Sequence, residues 1–185
     1  MGLSSRFPPR VEYLQLALAV ALPIHIWAYL QFFSQASSLV LRLTFLEILH
    51  VLAYVLVSSL LDVLVLAGAL TLLAAMLPAR VMRNHFLAAS SLIGLWTCIW
   101  AALFQFADRV AILFTKNAAF AYPIVLAVFI LIYFVVALPG MNLARSSSLI
   151  QKLVSAYIDR VTILSGLFLL LDLLSLLILI GLNLV

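Results

Sequence analysis

Charge is the scarcest thing in this chain. Only 9% of its 185 residues are Asp, Glu, Lys or Arg, 68% are hydrophobic, and the mean hydropathy is +1.32. A water-soluble domain of this length could not hide so much apolar surface, whereas lipid tails accept it on every helix face. Cysteine is nearly absent as well. Cys98, in the run LWTCIWAALF, is the only one, which excludes an internal disulfide and any multi-cysteine zinc or iron–sulfur site and leaves a lipid-facing or core thiol. Catalytic signatures are missing too. There is no Gly-x-Ser-x-Gly elbow, no His-Glu-x-x-His metal helix, no glycine-rich phosphate loop and no acidic cluster for a divalent metal, so neither an enzyme nor a cofactor-bearing protein is expected. A low-complexity linker, a targeting tail and a fixed-period repeat are also lacking.

What the chain has is long apolar runs. About 20 helical residues cross a hydrocarbon core of about 30 Å, and four runs reach that length plainly: 12–33, 86–106, 120–138 and 161–185. The run TFLEILHVLAYVLVSSLLDVLVLAGALTLLAAMLP, residues 44–78, is too long for one straight span and too short for two plus a turn. The simplest division gives 55–77 to the membrane and leaves 38–54 as an interfacial helix or as a tilted extension of that span, with Ser38 as its N-cap and Arg42, Glu47 and His50 as its polar positions. A second interfacial helix is predicted over 146–160. There Pro139 and Gly140 end the fourth span, a serine run opens a helix, and Leu149, Ile150, Leu153, Val154 and Tyr157 recur at helical spacing. The fold class is therefore an all-α, polytopic transmembrane helix bundle of about five spans with short interfacial amphipathic helices. Gly68, Ala69, Gly94 and Gly166 are the small residues expected where spans approach closely.

The ten basic residues outnumber six acidic ones, for a net charge of +4, but they are scattered between apolar runs and make no patch for nucleic acid. Their use is topological. With the N-terminus inside, the inner segments hold Arg6, Arg10, Arg80, Arg83, Arg145, Lys152 and Arg160, and the outer ones hold Arg42, Arg109 and Lys116. Seven against three favours N-in and C-out, because short cytoplasmic loops collect Lys and Arg. A six-span alternative would put Arg80 and Arg83 on the wrong side. The basic start RFPPR is no cleaved signal, since the run after it is too long and Pro23, His25 and Trp27 stand where small residues would be needed.

The informative residues are those a bilayer makes expensive. Counted at 1.5 Å per residue from the inner boundary, His25 lies roughly 21 Å deep, Asp62 roughly 24 Å and Asp172 roughly 17 Å. Ser58 and Ser59 lie one turn before Asp62, and Ser165 and Ser175 share the face of Asp172. Such stripes are expected to point inward. They would form either a buried polar centre that fixes helix register or a His/Asp proton relay joining the first, second and last spans. A b-type haem between His25 and His50 is disfavoured by depth, since His50 falls near the outer surface. Glu47 and His50, at i and i+3, fit a solvated helix face.

In pattern, ALFQFADR and IDRVTILSGLFLLLDLLSLLILIGLNL, within residues 85–185, resemble the membrane-anchoring N-terminal region of bacterial membrane-bound sulfatase-like enzymes, the lipoteichoic acid synthase type. That resemblance implies a bacterial plasma (inner) membrane and a last span that delivers the chain to the outer face. The family's nucleophile motif, Cys or Ser followed by x-Pro-x-Arg, is absent. RFPPR puts Arg6 at the nucleophile position and Cys98 is followed by IWAA, so no catalytic residue carries over, and the chain is expected to finish beyond the last span without a soluble domain. Beyond the lipid bilayer, the partners expected are other integral-membrane subunits. Three roles follow: an accessory or scaffold subunit, a small transporter or proton conductor using His25, Asp62 and Asp172, or a stand-alone anchor beside a sulfatase-like enzyme.

Overall fold

A computed structural model describes residues 8–77, 85–114 and 118–183, with the backbone alone over 106–114, 118–125 and 182–183. Arg6, Arg80, Arg83 and Lys116, on which the charge count leans, lie outside the described residues, as does the side chain of Arg109. The described chain is all-α: α1 (Arg10–Ser34), α2 (Ala36–Arg42), α3 (Phe45–Met76), α4 (Phe86–Phe114), α5 (Ala118–Ser146) and α6 (Ser148–Asn183). Every one but α2 is long and apolar enough to cross a membrane, as befits an integral membrane protein. Helices are the natural answer to this composition, because a lipid-facing backbone must satisfy each N–H and C=O within its own segment.

Side-chain contacts fix the helix directions. Residues 19 and 25 of α1 meet 157 and 172 of α6, so these two helices run parallel. Gln31 of α1 meets Gln105 of α4 and Val20 lies against Gly94, so α4 is parallel to both. Along α3 the order reverses. Leu70 packs near Gly94 while Asp62 shares a cavity with Cys98, further along α4. Helix α5 is reversed as well, because Trp96 and Thr97 meet Tyr133 while Phe104 meets Phe129. The five long helices therefore alternate in direction, and Arg10 and Asn183 fall at opposite ends of the bundle.

Helix α1 is the axle. Its Leu16, Ala17, Val20 and Ala21 pack with Val63, Ala67, Leu70 and Ala74 of α3 and with Phe86, Ala89 and Ile93 of α4, while Ala19 faces Val154 and Ile158 of α6. One glycine makes this packing close. A Cβ at Gly94 would come within 2.6 Å of Val20 Cγ1 and 3.4 Å of Leu70 Cδ1, while Gly68 and Gly166 have nothing within 4 Å of theirs. Of the small residues expected at close approaches, Gly94 alone fills the role; Ala69 is exposed. Helix α5 stands apart. It leans on α4 through an aromatic seam in which Trp100 meets Phe129 with ring centres 4.1 Å apart and planes tilted by 35°, and the Thr97 hydroxyl lies 2.9 Å from the Tyr133 hydroxyl.

Three expected boundaries are corrected. First, of the two readings of 38–54, the separate interfacial helix fails and the extension of the 55–77 span holds from residue 45 on. Residues 45–76 form one continuous helix, and Ser38 lies inside the short α2 rather than capping α3. The cap is Thr44. Its hydroxyl accepts from the Glu47 backbone N–H at 3.4 Å while the Thr44 N–H donates to the Glu47 carboxylate at 2.7 Å, a reciprocal capping box. Second, 146–160 is the first part of α6, continuous with the last span, although a serine does open it: the Ser147 hydroxyl accepts from the Ile150 N–H at 3.4 Å. Third, α5 does not stop at Pro139 and Gly140 but runs on to Ser146. Its closing carbonyls, Ala144 and Arg145, accept from the Gln151 side-chain amide at 3.0 and 3.5 Å, which answers for groups a helix end leaves unpaired. At 1.5 Å per residue α3 and α6 are about 48 and 54 Å long, so each extends past a hydrocarbon core of about 30 Å or tilts within it.

Candidate functional site

Helix α1 carries a proline in its middle, and the site begins there. Pro23 has no N–H to give the carbonyl four residues back, that of Ala19. In a bilayer such a freed carbonyl needs a donor, and the Tyr157 hydroxyl of α6 supplies it at 3.0 Å. About half a turn beyond Pro23 on α1 comes His25. Its Nδ1–H donates to the Ala21 carbonyl at 2.8 Å, and its Nε2 meets both carboxylate oxygens of Asp172, at 2.9 and 3.0 Å. Phe168, one turn before Asp172 on α6, stacks on the imidazole with ring centres 5.0 Å apart and planes within 2°. Thus α6 grips α1 with a hydroxyl, a ring and a carboxylate.

Both His25 and Asp172 are 0% exposed. The Ala21 carbonyl can only accept, so Nδ1 carries a proton, and one further proton lies between Nε2 and the carboxylate. Whether that proton resides on the ring or on the acid, the pair has no net charge. This lowers the large cost of placing ionisable groups in a low-dielectric interior. Both ring nitrogens are engaged within the chain, so the bis-imidazole haem weighed for His25 and His50 has no free His25 nitrogen. Ser165 and Ser175 are buried on the same helix as Asp172, as their spacing predicts. Neither joins the network: the Ser165 hydroxyl has no hydrogen-bond partner among the described residues, and Ser175 shares a cavity with Leu49 and Ala53 of α3.

The second expected carboxylate is not part of this centre. On α3 the buried stripe runs through Ala53, Leu56, Ser59, Val63, Ala67, Leu70 and Ala74. Asp62 lies one residue, or 100°, round the helix from Val63; it is exposed, as is Ser58. Ser59 is buried but spends its hydroxyl on the Val55 carbonyl at 2.8 Å. The expectation that both acids point inward to one polar centre therefore holds for Asp172 and fails for Asp62, because sequence depth fixes height in the membrane and not the side of the helix. Asp62 opens instead into a groove of about 690 Å³ between α1, α2, α3 and α4, with Trp27, Phe32, Tyr54, Thr97 and Cys98 among its walls. The Gln31 amide donates to Gln105 at 2.8 Å across this α1/α4 side. On α1 the groove stripe of Pro23, Ile24, Trp27, Ala28 and Gln31 lies roughly a third of a turn from the stripe of Ala21, His25 and Tyr29, so α1 stands between the two carboxylates. Asp62 makes no side-chain hydrogen bond among the described residues.

Sequence reasoning missed Tyr157 and Phe168 as members of the site. The signal for Tyr157 was Pro23, whose freed carbonyl demanded a donor; the signal for Phe168 was its spacing of four from Asp172, one turn on the same face. No family model matches the chain, and no curated protein or solved structure does either.

Proposed function

We propose that this protein is a non-catalytic accessory or scaffold subunit of an integral-membrane assembly, in a bacterial plasma membrane with its N-terminus inside. The observation that carries the reading is the closed His25–Asp172 pair. Its groups are spent on each other and on the Ala21 carbonyl, both side chains are fully buried, and Asp62 stands on another face of α1. A proton conductor needs ionisable groups in series along water; here two are locked together and the third is apart. The work this pair does is to hold α1 against α6 in one register, as a rigid subunit requires. Helix α5 gives further support. Over Leu126–Ser146 only 6% of its most apolar window is buried within the chain, against 22–39% for the other long helices, which leaves most of its circumference for lipid or neighbouring subunits.

Gentle-detergent purification followed by mass spectrometry tests the reading. The expected result is a defined complex of constant stoichiometry, and a metal-dependent hydrolase within it would make the role that of an anchor. A lone monomer that carries proton flux in liposomes, with the flux lost in Asp172→Asn, would overturn it in favour of the conducting alternative.

A further inference from the structure

Helix α3 presents a carboxylate to the inside of an apolar groove and gives it no partner. A charge at mid-membrane depth is costly and calls for compensation, and His25, the one imidazole buried in the core, is already taken by Asp172. The groove has the dimensions of a small-molecule site: about 690 Å³, within the range of about 300–1,000 Å³ typical of ligand pockets and far too small for a whole transmembrane helix. Counting from the level where Gly94 meets Val20 and Leu70, the antiparallel register brings Asp62, eight residues back from Leu70, to the height of Ala28, eight on from Val20. Trp27 lines the same groove near the height of the carboxylate, with Phe32 and Tyr54 further along its walls and Ser58 one turn away on α3. An anion among aromatic side chains, in a largely apolar groove whose other polar wall groups are all neutral, is complementary to a protonated amine on a hydrophobic body. The carboxylate accepts from N⁺–H, and the ring faces attract the positive charge.

We infer that the α1/α3/α4 groove is a binding site for a lipophilic ammonium ion that enters from the lipid, with Asp62 as its counter-ion and Trp27 as its aromatic wall. This site is independent of the assembly reading, since its α1 residues lie about a third of a turn from His25 and neither His25 nor Asp172 lines it. It also gives Asp62 a role that register-locking does not.

The test uses the full chain in nanodiscs of phosphatidylcholine, whose zero net charge does not concentrate cations. Two tritiated probes are compared by equilibrium dialysis: a naphthalene bearing a dimethylaminobutyl chain, and its neutral twin in which CH replaces the nitrogen. Saturable one-to-one binding of the amine is expected, with the twin about tenfold weaker or worse, the size of effect that loss of a charge-assisted hydrogen bond produces. Asp62→Asn should bring the amine down to the level of the twin. Ala101→Phe, which keeps the charge but fills the groove, should weaken both. Equal binding of amine and twin, no saturable amine binding, or amine binding that survives Asp62→Asn would each overturn the assignment. A second copy or a partner helix seated in the groove would appear as wild-type protein that excludes both probes, which overturns it as well. If Asp62→Asn fails to fold, the amine-to-twin ratio of the wild type decides.

Discussion

Asp62 and Asp172 are both aspartates at similar heights in the bundle, and the bundle treats them in opposite ways. Asp172 is sealed between α6 and α1 with an imidazole on both its oxygens; Asp62 looks into an open groove and bonds to nothing described. The difference is one of azimuth. Residue 172 falls on the buried stripe of α6 with Val161, Ser165, Ser175 and Leu179, while residue 62 falls one position off the buried stripe of α3. A carboxylate inside the contact must be matched by the helix it touches, and then it specifies that contact. One outside the contact leaves the fold indifferent and stays available to something else.

The sharpest way to break this contrast is to remove one half of the buried pair. Asp172→Leu leaves His25 without its partner in a dry interior and should cost about 3–5 kcal/mol, read by denaturant titration in mild detergent. Asp172→Asn should cost far less, about 1–2 kcal/mol, because the amide N–H₂ can still donate to Nε2 of a neutral imidazole whose Nδ1–H faces the Ala21 carbonyl. Replacing both residues by Leu should recover most of the loss, since a well-packed apolar pair often matches a buried ionic one. A double variant as unstable as Asp172→Leu alone would mean that the site depends on polarity and not merely on satisfaction.

Next in size is the bond that Pro23 makes necessary. Tyr157→Phe leaves the Ala19 carbonyl without a donor and should cost about 1–2 kcal/mol. In a Pro23→Ala background residue 23 regains an N–H four residues from Ala19, so the same Tyr157→Phe change should cost little. A double-mutant cycle with no coupling between positions 23 and 157 would remove the proline from the account.

Smaller again is a contrast between two glycines. Gly94→Ala must push against Val20, which is fully buried, at 2.6 Å; overpacking of about 1–3 kcal/mol outweighs a helix-propensity gain of about 1 kcal/mol. Gly68→Ala meets nothing and keeps only the gain of up to about 1 kcal/mol. The two substitutions should shift the melting temperature in opposite directions.

These pairs mark how far the sequence could be read. The number of long apolar helices follows from run length and rise per residue, which are local quantities. Which glycine meets a neighbour and which carboxylate turns inward depend on rotation about each helix axis, and in lipid that rotation leaves little trace, because apolar residues cover the buried and exposed faces of α3 alike. Helix ends went astray for another reason. The expected breaks near 54 and 160 came from dividing the chain by bilayer thickness, but α3 and α6 run through both, and hydrocarbon thickness limits the apolar part of a helix and not its length. The true start of α3 was legible in Thr44 and Glu47, three apart before an apolar run, as a capping box. The demand of Pro23 for a hydroxyl was legible too; that Tyr157 would meet it was not, since 138 residues separate Ala19 from Tyr157.

Asp62→Asn should do least to stability, and that smallness is itself informative. The carboxylate is exposed in the folded bundle and stays in the membrane if α3 is inserted but unpacked, so most of its cost of residing there, about 2.5–3.5 kcal/mol on insertion scales, cancels between the two states. Unfolding in detergent should therefore change by no more than about 0.5 kcal/mol, the range for a substitution that touches no packed feature. A loss as large as that of Asp172→Leu would mean that Asp62 pairs within the bundle after all, and the contrast between the two acids would disappear. An unchanged stability leaves a residue that insertion energetics disfavour in lipid and that the fold does not need, which is the combination expected of a group whose role is to bind.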